Sequence, residues 1–341
     1  MKALVTGGCG FIGSHVVRAL VADGWDVTNL DKLTYASNLR NLDEIAGHPR
    51  YRLIEGDVCD PAVVERAVDG QDLVINFAAE SHVDRSLLDP LVFVRTDIEG
   101  VVVLLEALRK RPNAAFVQMS TDEVFGTLPA PLEAAEDAPF NPSSPYSASK
   151  AAAELQVRAY AGTYGMAATV LRCCNVYGPN QHIEKFIPLF LTRAMRGESL
   201  PLYGDGRQER EWIYVSDLVS AVRLVVGQLP AGGGLQELHV GSGERRGNLD
   251  VAERICDIVE RPRSLITPVA DRPGHDRRYA LDAGKLRAMG WRAEVPFETG
   301  IQLTAEWYRA NPDVWGAAAS AGFADYFREQ YGERLSEPRP T

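Results

Sequence analysis

Two hydrophobic periods alternate along the first half of the chain. Lys2–Thr6, Trp25–Leu30, Tyr51–Glu55, Leu73–Phe77 and Ala115–Met119 are short apolar runs that read as buried strands. Between them, Phe11–Asp23, Pro61–Val68 and Val94–Arg109 carry apolar residues at helical spacing. Strands separated by helices predict parallel pairing and a doubly wound α/β sheet. Ala168–Arg172 adds another strand, and the rhythm then breaks from Pro179 to about Leu202. Residues 229–234 read as a loop, helix-like segments mix with Gly and Pro after Glu294, and residues 336–341 are expected to fray.

Composition narrows the picture. A chain of 341 residues implies one large or two modest domains. Lys and Arg total 36 against 46 Asp and Glu, a net charge of -10. This balance argues against nucleic acid as a partner but leaves room for a local arginine pocket. No run of about 18 apolar residues occurs, so no membrane span is expected. The five cysteines, Cys9, Cys59, Cys173, Cys174 and Cys256, form no CxxC pair and have no grouped His partners. Neither a disulfide framework nor a metal site is expected. The N-terminus lacks a long apolar signal region, so the expectation is a reducing cytoplasm.

Candidate chemistry begins at Thr6. Gly7, Gly10 and Gly13 form GxxGxxG between a strand and a helix, where glycine lets the backbone approach a pyrophosphate and the helix N-terminus offers free N–H groups. Asp31 ends the second strand 18 residues after Gly13. That is close to the roughly 20 expected for an acid on the adenosine ribose. Its carboxylate would repel a 2′-phosphate, which favours NAD over NADP. Residues 1–178 are therefore read as a Rossmann-type NAD-binding domain, completed by part of 212–245. Residues 179–341 are read as a smaller α/β substrate-binding part interleaved with it, returning a strand to the main sheet. Asp57 ends the third strand, where either an adenine contact or a cap on the helix near Pro61 would suit it.

Ser144 as N-cap and Pro145 as first residue predict a helix start that puts Tyr146 and Lys150 on one face, four residues apart. A tyrosine base near neutrality needs its pKa lowered by roughly 3 units, and an ammonium about 4 Å away supplies energy of that order. Thr121, Asp122 and Glu123 follow the strand Ala115–Met119. Thr121 can bond a substrate hydroxyl, and crowded carboxylates can leave one acid and one base.

GGxGFIG, AAESHVDRS at 78–86, STDEVFG at 120–126, YSASK at 146–150 and RPGHDRRY at 272–279 resemble the dTDP-glucose 4,6-dehydratase family of extended short-chain dehydrogenase/reductases. The resemblance covers Lys2 to about Asp282, and its specific part is Thr-Asp-Glu. It implies that Tyr146 takes the proton of the sugar 4-hydroxyl while hydride passes from C4 to NAD. Lys150 would lower the tyrosine pKa and hold the nicotinamide ribose. Glu123 would remove the C5 proton, Asp122 would protonate the departing C6 hydroxyl, and hydride would return to C6. The cofactor site is expected to take in Phe11, Ile12, Lys32, Thr34, Asp57, Val58, Phe77, Ala78, Ala79, Ser81, Thr96 and Val176 as well.

On the substrate side, Asn175-Val176-Tyr177-Gly178-Pro179 and Glu184–Leu189 resemble the family's NNYGP and EKLIPL segments, which line the nucleotide pocket. Candidates there are Asn175, Lys185, Phe186, Ile187, Pro188, Pro201, Tyr203 and His275, with Arg210 and Arg272 for the diphosphate and Ser81 and His82 toward the sugar. Three positions depart from the family pattern: Val176, Phe125 and His239. His239 is expected in the nucleotide pocket in place of an Asn, which bears on the preference for dTDP over UDP. Competing readings are a UDP-sugar 4-epimerase or decarboxylase and a non-catalytic NAD sensor. Val101, Val102 and Val103 on one helix, with Ala151, Ala152 and Leu155 on the YxxxK helix, are expected to form a four-helix homodimer contact.

Overall fold

The computed structural model describes residues 1–230, 232–318 and 321–336. Among the described residues, twelve strands occur in chain order. They are β1 (Lys2–Thr6), β2 (Asp26–Asp31), β3 (Tyr51–Glu55), β4 (Leu73–Asn76), β5 (Ala115–Thr121) and β6 (Ala167–Cys173), followed by β7 (Asn175–Tyr177), β8 (Leu200–Tyr203), β9 (Glu209–Tyr214), β10 (Gly234–Val240), β11 (Arg245–Gly247) and β12 (Ile266–Val269). Seven form one sheet in the order β10-β6-β5-β4-β1-β2-β3, and every pair is parallel. Every residue of β4 and β5 is buried, as apolar strands covered on both faces must be.

Helices Phe11–Ala22 and Val215–Val226 pack one core against this sheet. Helices Gly100–Arg109 and Pro145–Tyr164 contribute to a second. The late strand β10 thus joins the sheet beside β6. A third core holds the C-terminal region together, around helices Phe186–Arg196, Asn248–Ile258 and Phe297–Ala310. Sheets β11-β9-β7 and β12-β8 frame that region. No helix among the described residues is long and apolar enough to cross a membrane.

Four local expectations need correction. β5 runs two residues further than its apolar run, so Ser120 and Thr121 belong to the strand, and Asp122–Phe125 is a 3-10 turn. The expected helix Val94–Arg109 contains a π-turn at Val94–Glu99. There Asp97 turns inward and accepts the Glu80 N–H at 2.8 Å and the Ser149 hydroxyl at 2.7 Å. Gly234 begins β10 instead of ending a loop, and Ala231 of the same stretch lies outside the described residues. Of the tail, Ser336 ends a helix that starts at Ala321, and residues 337–341 lie outside the described residues.

Candidate active site

Gly7 leaves β1 with φ +67°, and a Cβ there would stand 2.8 Å from the Ala78 nitrogen. A Cβ at Gly13 would lie 2.3 Å from the Gly7 carbonyl. Both positions therefore exclude a side chain, and the helix Phe11–Ala22 starts tight against the strand end. Its N-cap, Gly10, offers no capping side chain, which leaves the first-turn N–H groups for a ligand. Asp31 secures the facing loop: one oxygen accepts the Cys9 N–H at 2.8 Å, and the other accepts the Leu33 N–H at 2.8 Å and the Ser37 hydroxyl at 2.7 Å. Asp57 pairs with Lys32 at 2.6 Å. Asp60, not Asp57, caps the helix Pro61–Ala67, which removes one of the two readings of Asp57.

A cavity of about 290 Å³ opens over these strand ends. It is lined by Gly7, Gly10, Phe11, Ile12, Gly13, Asp31, Lys32, Thr34, Asp57, Val58, Phe77, Ala78, Ala79, Ser81, Thr96 and Val176, and it continues to Thr121, Asp122, Glu123, Tyr146, Lys150, Asn175 and Lys185. The cofactor candidates and the catalytic candidates therefore share one space.

Two elements bring the catalytic side chains together. The helix Pro145–Tyr164 starts on a capping box between Ser144 and Ser147, which fixes Tyr146 and Lys150 one turn apart. The 3-10 turn after β5 is capped by Thr121, whose oxygen accepts the Glu123 N–H at 3.3 Å. The Lys150 ammonium donates to the Met119 carbonyl at 2.8 Å. Burial, followed by Glu123 and Asp97, pushes the Tyr146 phenol well above its ordinary value.

Both carboxyls are raised, but their neighbours differ. Burial, then Glu123 and Glu211, raise Asp122 well above the usual carboxylate range, and its Oδ2 is buried without a partner. Burial also raises Glu123, but Arg272, Arg210 and Lys185 oppose it. An acid stands beside a group that cations keep closer to ionised, the arrangement general acid–base chemistry requires.

Arg210, Arg272, Tyr203 and His275 lie outside the lining of this cavity, and the two arginines are near enough for their charge to act on Glu123. Arg210 donates to the carbonyls of Glu209 at 2.8 Å and Asp276 at 2.9 Å and lies over the Tyr279 ring. Arg272 donates to Asp84 at 2.9 Å, and the Tyr203 hydroxyl donates to the same carboxylate at 2.9 Å. His275 bonds Asp271 at 2.6 Å, and burial with the nearby arginines pushes it down to about 4. Lys185 donates to the Ser81 carbonyl.

The others sit elsewhere. His82 turns from the cavity toward the Glu184 carbonyl, at 2.9 Å, and the edge of Tyr326. Phe186 stacks on Phe190 and Trp212, while Ile187 and Pro188 are buried on the same helix. Pro201 is buried inside β8, opposite Thr267. His239 is fully buried between Arg172, the Asp282 carbonyl and the Phe125 ring, and burial with Arg172 pushes it down to about 3. Both ring nitrogens are bonded within the protein, so His239 has none to offer a base edge, contrary to its expected place in the nucleotide pocket.

Sequence reasoning missed Glu80, Cys173 and Gln181, which line the cavity, and the buried Asp84 and Asp97. Asp97 lies among Arg95, Thr96 and Glu99, so no local pattern singled it out.

Comparison with known proteins agrees with this geometry. The family model described as GDP-mannose 4,6 dehydratase matches residues 4–304. The dTDP-glucose 4,6-dehydratase of Salmonella typhimurium is 43% identical, over 98% of this chain and 100% of its own. The dTDP-glucose 4,6-dehydratase of Streptomyces venezuelae, solved with NAD bound, superposes with a TM-score of 0.90 at 42% identity, covering 93% of this chain and 100% of its own. A Thermus thermophilus UDP-glucose 4-epimerase, solved in complex with NAD, reaches a TM-score of 0.83 at 34% identity, over 91% and 99% of the two chains. The chain belongs to the dTDP-glucose 4,6-dehydratase family, within the broader group of NAD-binding Rossmann-type dehydratases and epimerases.

Proposed function

We propose that the protein removes water from dTDP-glucose to give the 4-keto-6-deoxy sugar nucleotide, with NAD as its resident cofactor. The residues fit NAD. Side chains are excluded at Gly7 and Gly13, the helix start is uncapped, and the Asp31 carboxylate lines the same cavity and would repel a 2′-phosphate. When bound, NAD supplies a two-electron acceptor that takes hydride from C4 of the sugar and gives it back at C6. Tyr146 accepts the proton of the 4-hydroxyl, once Lys150 and the cationic cofactor draw its phenol down from the value that burial imposes. Glu123 takes the C5 proton, made acidic by the 4-ketone. Asp122 delivers its proton to the C6 hydroxyl as water leaves. Thr121 holds the sugar hydroxyl, and Arg210 and Arg272 hold the diphosphate.

The observation that carries this reading is the adjacent pair Asp122 and Glu123, with the Asp122 Oδ2 buried and unpartnered, in the cavity that also holds Tyr146. A 4-epimerase needs the tyrosine and lysine but has no step for a protonated carboxyl at C6. Mass spectrometry of products from dTDP-, UDP-, CDP- and GDP-glucose tests it. Loss of one water, fastest from dTDP-glucose, is expected. An isomeric product of unchanged mass would make the protein an epimerase.

The same reading assigns residues 1–178, with part of 212–245, to the cofactor and 179–341 to the sugar nucleotide, in a cytoplasmic enzyme. It also includes a homodimer. Val101 and Ala151 are buried within the subunit and leave the expected contact. Of the rest of that contact, Val102, Val103 and Ala152 are half-buried and Leu155 is exposed. Sedimentation at micromolar concentration should show a dimer, and a monomer alone would refute that assignment.

A further inference from the structure

Arg272 has its Nε buried without a hydrogen-bond partner. Its guanidinium is held at another corner, where Nη1 donates to Oδ1 of Asp84 at 2.9 Å; the two side chains are 12% and 3% exposed. The other oxygen of Asp84 accepts the Tyr203 hydroxyl at 2.9 Å. That hydroxyl oxygen in turn accepts Nε2 of Gln330 at 2.7 Å. One chain of hydrogen bonds therefore runs from the C-terminal helix Ala321–Ser336, through β8, to the arginine beside Glu123.

The helix is bound firmly at this point. Tyr326, Gln330 and Tyr331 are all buried, Tyr326 meets the edge of His82, and Tyr331 lies against the Tyr203 ring. Burial works against the Asp84 charge, but His82 and Arg272 outweigh it and hold the carboxyl below the ordinary range. A guanidinium is planar, so pinning one corner sets the direction of its remaining N–H groups. A buried cationic donor left unpaired calls for an anionic acceptor.

We propose that Asp84 is a positioning residue for the substrate diphosphate: it aims the free Nε of Arg272 at a phosphate oxygen, and the C-terminal helix sets Asp84 through Gln330 and Tyr203. The inference rests on the nucleotide-sugar reading above. Asp84 and Gln330 act through Arg272 and touch no reacting atom.

The test is steady-state kinetics of full-length wild type, Asp84→Asn and Gln330→Leu with dTDP-glucose, with NAD affinity measured by fluorescence titration. Asn keeps the shape of Asp84 and loses the charge that orients the guanidinium. Asp84→Asn should raise KM by about tenfold to a hundredfold, with a smaller change in kcat. Gln330→Leu should raise KM by roughly twofold to tenfold. NAD affinity should stay at the wild-type value in both. An unchanged KM, a loss confined to kcat, or a parallel loss of NAD affinity would overturn the proposal. If Asp84→Asn does not fold, Gln330→Leu decides alone by the same criteria. Wild type that turns over no nucleotide sugar would instead overturn the proposed function.

Discussion

Asp122 and Glu123 are neighbours in sequence whose surroundings separate their chemistry. Burial raises both; Glu123 and Glu211 add to it at Asp122, where Arg210 opposes, whereas Arg272, Arg210 and Lys185 all oppose it at Glu123. Asp122→Asn should cut product formation by about 10²- to 10⁴-fold, because amide nitrogen cannot deliver the proton to the leaving hydroxyl. The same substitution should stabilise the fold. The folded-state pKa of Asp122 is raised, so its favourable contribution is fully present below the unfolded value of about 3.9 and is lost as pH rises toward the folded one. Differential scanning calorimetry should therefore give Asp122→Asn a higher Tm than wild type near neutrality, and the gap should shrink near pH 4. A lower Tm at neutral pH would show that the Asp122 carboxyl supports the fold.

The elements that carry the site show what hydrophobic patterning can and cannot reveal. The helix Pro145–Tyr164 was legible to its first residue, because Ser144 and Pro145 are strong local start signals. The π-turn at Val94–Glu99 was not, since the partners that Asp97 bonds there, Glu80 and Ser149, are remote in sequence. Burial raises Asp97 to about 6. Asp97→Ala leaves the Glu80 N–H without its acceptor and should cost about 1–3 kcal/mol of unfolding free energy. Asp97→Asn keeps one acceptor oxygen and should cost less. Urea unfolding of the two variants measures the difference, and equal losses would mean that the side chain only fills space.

For the whole molecule, the parallel sheet and the cavity at its strand ends follow from alternating periods and two short motifs, which are local signals. The nucleotide end was harder to read. His239 was placed in the pocket by motif position, yet pairing of β10 with β6 sets it beside Arg172, and the buried cation takes up its ring. His82 was likewise drawn away by Tyr326, 244 residues along the chain, a partner no spacing rule anticipates. In the proposed reaction one cavity oxidises C4, eliminates across C5 and C6, and reduces C6 without exchanging hydride with the medium. Turnover of dTDP-glucose carrying deuterium at C4, followed by NMR and mass spectrometry of the product, tests this most directly. The deuterium should appear at C6. Product whose C6 lacks the label would contradict it.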